Sequence, residues 1–141
     1  MEITMNNFKK AEVDSVKKLI TKCNNGTKTF RYFDKRPFEI INNHVVCELL
    51  FIDDEPVGYY HIEEENDVFW FGIIVSDLHI GKGISKIIMK RAIDKSNLLK
   101  IDLSLSVDKN NQVAFNLYKN NNFYVVKETD LYYIMKRNKE T

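Results

Sequence analysis

With 44% hydrophobic and 29% charged residues, the 141-residue chain has the composition of one globular domain, long enough for its own core and too short for two. Twenty-one Lys and Arg stand against 20 Asp and Glu, so a formal charge of +1 gives no overall field toward nucleic acid or an anionic membrane, and any basic site is local. No stretch resembles a signal peptide or approaches the roughly 20 apolar residues of a membrane span, which places the chain in the cytoplasm.

From Asn7 to Cys23, Phe8, Val13, Val16, Leu19 and Ile20 recur mostly at steps of three and four, which predicts an amphipathic helix ended by Asn24, Asn25 and Gly26. Residues 28–43 read as a broken helical segment, because Pro37 lacks a backbone donor and disfavours helix at Arg36. HVVCELLFI at 44–52 is strand-forming, DDEP turns it, and VGYYHI at 57–62 returns as the second arm of a hairpin. A second polar turn, EEEND at 63–67, precedes VFWFGIIV, whose near-continuous apolar run predicts a central strand covered on both faces.

Ile84, Ile87, Ile88 and Ala92 line one face of the next helix, which ends near Ser96 and Asn97. IDLSLSV at 101–107 alternates apolar and polar residues, a strand with one face buried. Asn110 or Asn111 caps the helix QVAFNLYKN, and FYVVKETDLYYIMKR closes the domain as a strand pair turned at Glu128–Asp130. The element order predicts a mixed sheet with helices on its faces, opened by antiparallel pairing and containing one parallel crossover over 68–107. Cys23 and Cys47 have neither metal-ligand spacing nor a disulfide framework, and three scattered histidines complete no metal set.

HIGKGISK, residues 79–86, joins the central strand to a helix through two of the chain's five glycines. Such a junction aims free backbone amides and the positive end of a helix dipole at one point, which attracts phosphate. Glycine admits the anion close to the backbone and takes torsions costly for other residues, and Lys82 adds a cation. A plain tight turn explains the pattern equally well. Neither the P-loop string nor the dinucleotide fingerprint is present, since the latter requires glycine where Lys86 stands.

VSDLHIGKGISKIIMKRAI resembles the acyl-CoA pyrophosphate loop of the GNAT superfamily of N-acetyltransferases, Arg or Gln, two residues, Gly, one residue, then Gly or Ala, with Gly83 at the fixed glycine. NQVAFNLYKNNNF is similar to that family's Asn-x-x-Ala-x-x-Leu-Tyr followed by Gly-Phe, through Asn111, Ala114, Leu117, Tyr118 and Phe123. The resemblance covers roughly residues 44–137 and implies a single domain over 1–141: a mixed, mostly antiparallel sheet of six to seven strands with helices on both faces. Ile80, Ser85 and Asn122 depart from the family pattern, but main-chain donors survive all three, and Asn tolerates the left-handed torsion of a helix terminus.

The resemblance implies transfer of an acetyl group from acetyl-CoA directly to a primary amine. Ile80, Gly81, Lys82, Gly83, Ile84 and Ser85 would hold the diphosphate, the amides of Ile73, Ile74 and Val75 would pair with the pantetheine arm, and Asn111 would contact it. Tyr118 is the implied proton donor to the leaving thiolate. Asp67 is a candidate base, alongside Glu63, Glu64, Glu65, His61 or a chain of water, and EEEND reads equally as a solvated turn. Phe30, Arg31 and Tyr32, within TFRYFDKR, fall where family members build the acceptor wall. That mix suits an anionic or sugar-like small-molecule amine, unless the aromatics simply pack inward. The alternatives are an acyl-CoA-binding module without turnover, or an enzyme acting on a peptide amine; the assembly is a monomer or homodimer.

Overall fold

A computed structural model describes residues 3–24, 27 and 30–140. The strands are β1 (Phe8–Lys10), β2 (Val46–Ile52), β3 (Glu55–Glu65), β4 (Val68–Val75), β5 (Leu103–Asp108), β6 (Tyr124–Glu128) and β7 (Tyr132–Arg137). The helices are α1 (Val13–Ile20), α2 (Ile84–Leu99) and α3 (Gln112–Asn120), with a short 3-10 helix at Phe38–Asn43. One seven-stranded sheet runs β1-β2-β3-β4-β5-β7-β6, antiparallel at every junction except β4–β5. The apolar run at 68–75 is therefore the middle strand.

Period-two alternation sorts side chains between two cores. On one face Phe71, Leu103, Leu105 and Val107 pack with Ile84, Ile88, Met89 and Ala92 of α2 and Tyr118 of α3. On the other, Leu49, Tyr59 and Ile74 pack with Val16 and Leu19 of α1 and with Ile41. Each fully buried Leu or Ile contributes roughly 1.5–3 kcal/mol. Across the first core Arg91 donates from Nη2 to Glu48 Oε2 at 2.8 Å, tying α2 to β2, and Tyr60 also donates to Glu48.

Three sequence expectations are corrected. The helix predicted from Asn7 begins only at Val13. Phe8–Lys10 instead pair with β2, and Phe8 gains burial as an edge-strand residue beneath Arg91, which its helical spacing equally allowed. Glu63, Glu64 and Glu65 extend β3 rather than forming the turn, because the tight turn falls on Asn66 and Asp67 (φ 53° and 65°), residues that tolerate this region. The second helix runs past Ser96 to Leu99 and stops where Lys100 turns left-handed.

The 28–43 segment is helical only after Pro37, and Lys28 and Thr29 lie outside the described residues, as do Asn25 and Gly26 of the predicted first stop. Asn111 rather than Asn110 caps α3, its Oδ1 accepting from the Ala114 amide at 3.2 Å. Asn122 sits at φ 70°, as the sequence predicts. No helix among the described residues is long and apolar enough to cross a membrane.

Candidate functional site

β4 ends at Val75, and the chain passes through a turn at Asp77–His79 before α2 begins at Ile84. That turn is anchored: the Asp77 amide donates to Lys22 O at 2.8 Å, and Asp77 Oδ2 accepts from the Asn24 amide at 3.1 Å. Ser76 Oγ and His79 Nδ1 are 2.6 Å apart. Gly81 and Gly83 both take left-handed torsions (φ 80° and 79°), and a Cβ on either would meet nothing within 4 Å. Among the described residues no backbone carbonyl accepts from the amides of Gly81 to Lys86, the first being bonded again at Ile87, to Gly83 O. An anion at this helix start therefore finds several free donors, Lys82 and open space. Ile80 is 52% exposed, so its apolar side chain gives the loop no packing support.

Among the described residues the one parallel junction is also the least paired. β4 and β5 register at a single position, Trp70↔Ser104. Beyond Trp70 no β4–β5 register pair follows among the described residues, so the backbone groups of β4 from Phe71 to Val75 that point toward β5 lie outside that ladder. Ile73, Ile74 and Val75 belong to this stretch, which ends at the turn leading to the glycine loop. Tyr118 borders it on the α2–α3 face, edge-on to Phe71 at 6.4 Å and against Phe123 at 5.7 Å. Burial alone pushes its hydroxyl above the ordinary tyrosine range, and no described residue hydrogen-bonds it. Tyr118 is thus a neutral phenol with a free donor. Asn111 holds the start of the same helix.

Across the sheet lies a different environment. Tyr59, His61 and Glu63 of β3 share a face with Trp70, Gly72 and Ile74 of β4 and Ser104, Ser106 and Asp108 of β5. The 30–44 segment roofs it. Phe30 packs on Tyr59 (6.3 Å) and His61 (5.9 Å), and the Tyr32 ring lies 4.3 Å from that of His61. Tyr32 Oη donates to Glu63 Oε2 and lies 2.9 Å from His44 Nε2. Burial first, then Glu63, raises the Tyr32 phenol beyond its ordinary range. Burial lowers both His44 and His61.

Arg31 reaches over β5 to pair with Asp108 at 3.1 Å. Arg31, Tyr32, Asp34, Lys35 and Arg36 line an open hollow of ≈ 420 Å³. Among the three residues proposed for the acceptor wall, Phe30 and Tyr32 thus pack inward and Arg31 faces solvent. Asp67 lies on the exposed β3–β4 turn, at the opposite end of β4 from the glycine loop. The sequence reading missed Gly72, His44 and Asp108; a lone glycine inside an apolar strand was the one available signal, marking close approach by another group. Cys23 is fully buried and pushed up to about 12, chiefly by burial, so it stays a thiol and offers no nucleophile.

A middle strand that registers with its parallel neighbour at one position and runs through a glycine turn into a helix start defines a mixed α/β domain with an anion-suited loop at the end of its central strand. The chain belongs to the GNAT acetyltransferase family, which matches it over residues 13–123. Solved structures agree in fold. A GNAT-family acetyltransferase from Streptococcus pneumoniae superposes with a TM-score of 0.72 at 17% identity, covering 94% of this chain and 98% of that one. PaiA N-acetyltransferase from Thermoplasma acidophilum in complex with coenzyme A gives 0.75 at 17% identity, covering 98% and 99%. The ribosomal-protein-S18-alanine N-acetyltransferase from Escherichia coli gives 0.74 at 15%, covering 92% and 91%. No curated protein sequence matches the chain.

Proposed function

We propose that the protein transfers an acetyl group from acetyl-CoA to the primary amine of a small, polar molecule. The carrying observation is the β5-facing side of β4, which has no register partner beyond Trp70 among the described residues, together with the free amides of Gly81–Lys86 that follow the strand. Those amides and Lys82 suit a diphosphate, with Ile80, Ile84 and Ser85 framing the turn. Backbone groups of Ile73, Ile74 and Val75 suit the amide-bearing arm of the cofactor, and Asn111, which caps α3, would contact that arm. Acetyl-CoA supplies the activated acyl carbon. The Tyr118 hydroxyl, neutral and without a partner among the described residues, would protonate the departing sulfur. Phe30, Tyr32 and Arg31 bound the acceptor side, where Lys35 and Arg36 favour an amine that also carries an anionic group.

Calorimetry with acetyl-CoA tests the donor half, and amine-dependent thiol release across a panel of amino sugars, polyamines, amino acids and peptides tests the acceptor half. Binding with no release for any amine would leave a cofactor-binding module instead. Absence of binding would remove the whole reading.

A further inference from the structure

His61 lies on the acceptor face at the point where the slot opens. It is the register partner of Gly72, two residues past the last β4–β5 pairing at Trp70. A Cβ on Gly72 would stand 2.7 Å from His61 Nε2 and 3.0 Å from Cε1, so only glycine lets the imidazole lie against β4. His61 is 4% exposed. Nδ1 is held 2.9 Å from Tyr59 Oη, whereas Nε2 hydrogen-bonds none of the described residues. Among the described residues no fully enclosed side-chain nitrogen or oxygen lacks a partner, so Nε2 is not wholly enclosed.

Residues 71 and 72 point to opposite faces of β4. Phe71 touches Tyr118, and Gly72 touches His61. The phenol and the imidazole therefore flank the slot from its two sides. Aminolysis of a thioester needs that arrangement, with the nucleophile's proton leaving on one side and the sulfur protonated on the other.

We propose, resting on the transferase reading above, that His61 is the group that takes the proton from the acceptor amine, with Tyr59 holding Nδ1–H so that the Nε2 lone pair faces the substrate. The amine lone pair forms the C–N bond at the thioester carbon. The nitrogen's proton passes to Nε2, the C–S bond breaks, and the Tyr118 O–H protonates the sulfur. One proton then moves through solvent from imidazolium to phenolate and restores both side chains.

The groups packed around the ring are Tyr59 on its own strand, Tyr32, Phe30 and Arg36 from the roofing segment, His44 after the 3-10 helix, and Glu63 two positions along β3. Burial, His44 and Arg36 hold the imidazole neutral. Asp67 stands five residues from Gly72, about 17 Å along an extended strand.

The test uses the full chain with acetyl-CoA and four amines: spermidine, tyramine, glucosamine 6-phosphate and an alanyl tripeptide. His61→Gln is expected to lower kcat about 100-fold with acetyl-CoA affinity within about twofold, and to erase the acidic limb of the kcat–pH profile. Gly72→Ala, which displaces the ring without deleting it, is expected to act in the same direction. A His61→Gln enzyme within about threefold of wild type overturns His61 and leaves the transferase reading standing. If the wild type turns over none of the amines, nitrogen-15 NMR of the imidazole still decides. A protonated Nδ1 with a bare Nε2 supports the assignment, and a protonated Nε2 overturns it.

Discussion

Tyr118→Phe separates chemistry from folding unusually well, because the structure gives the hydroxyl nothing to hold. No described residue hydrogen-bonds it, and burial alone sets its titration, so its deletion leaves no orphaned partner. The ring stays, and with it the edge-on contact to Phe71 at 6.4 Å and the contact to Phe123 at 5.7 Å. Stability should therefore change by less than about 0.5 kcal/mol, whereas Tyr118→Ala would open a cavity costing roughly 3–5 kcal/mol. Loss of a positioned proton donor costs about 100-fold in turnover. The measurements are kcat and KM from thiol release, acetyl-CoA affinity by calorimetry, and the urea midpoint. Unchanged kcat would remove Tyr118 from the proton path. A midpoint shift equivalent to several kcal/mol would mean that the hydroxyl has a structural partner and that the reasoning is wrong.

Gly83→Val places a β-branched residue at φ 79°, costing about 1–2 kcal/mol of strain, and puts its side chain into the space above the loop, so calorimetry should show acetyl-CoA binding weakened about tenfold or more. Unaltered affinity would mean that the diphosphate lies elsewhere. Arg91→Leu removes the partner of Glu48, whose burial opposes ionisation but whose hydrogen bonds from Arg91 and Tyr60 hold it below the usual carboxylate range. With the pair only 20% and 12% exposed, urea denaturation should show a loss of about 2–3 kcal/mol.

All three histidines titrate below 6.5 in the fold, each chiefly through burial, so below that pH the unfolded chain binds protons that the native state refuses. Their contribution is complete above 6.5 and declines as pH falls toward the folded values, by up to about 1.4 kcal/mol per pH unit for each of the buried His44 and His61 and by less for the more exposed His79, which solvent screens. Urea midpoints at pH 7.5 and 5.5 check this, and equal midpoints would contradict it.

Local pattern carried much of this protein. The alternation of Leu103, Leu105 and Val107, the capping Asn before Gln112, the left-handed Asn122 and the glycine turn each follow from neighbours along the chain, and so were legible from the residues alone. Phe8 was misread because its spacing served helix and edge strand alike, and only pairing with Leu50 decides between them. The glutamates of β3 looked like a turn because polarity marks solvent, not backbone direction.

What the sequence by itself determined is the half proposed to hold the cofactor: the order of elements, the glycine loop between strand and helix, and the helix that carries Tyr118, all contiguous in the chain. The tertiary structure alone decided the face proposed for the acceptor. Residues 30–44, β3, Gly72 and Asp108 come from four separate stretches and meet only when β3 and β4 are in register and the roofing segment folds over them. Strand periodicity fixes which residues share a face, but which distant segment covers that face is set by long-range packing, and no local signal encodes it.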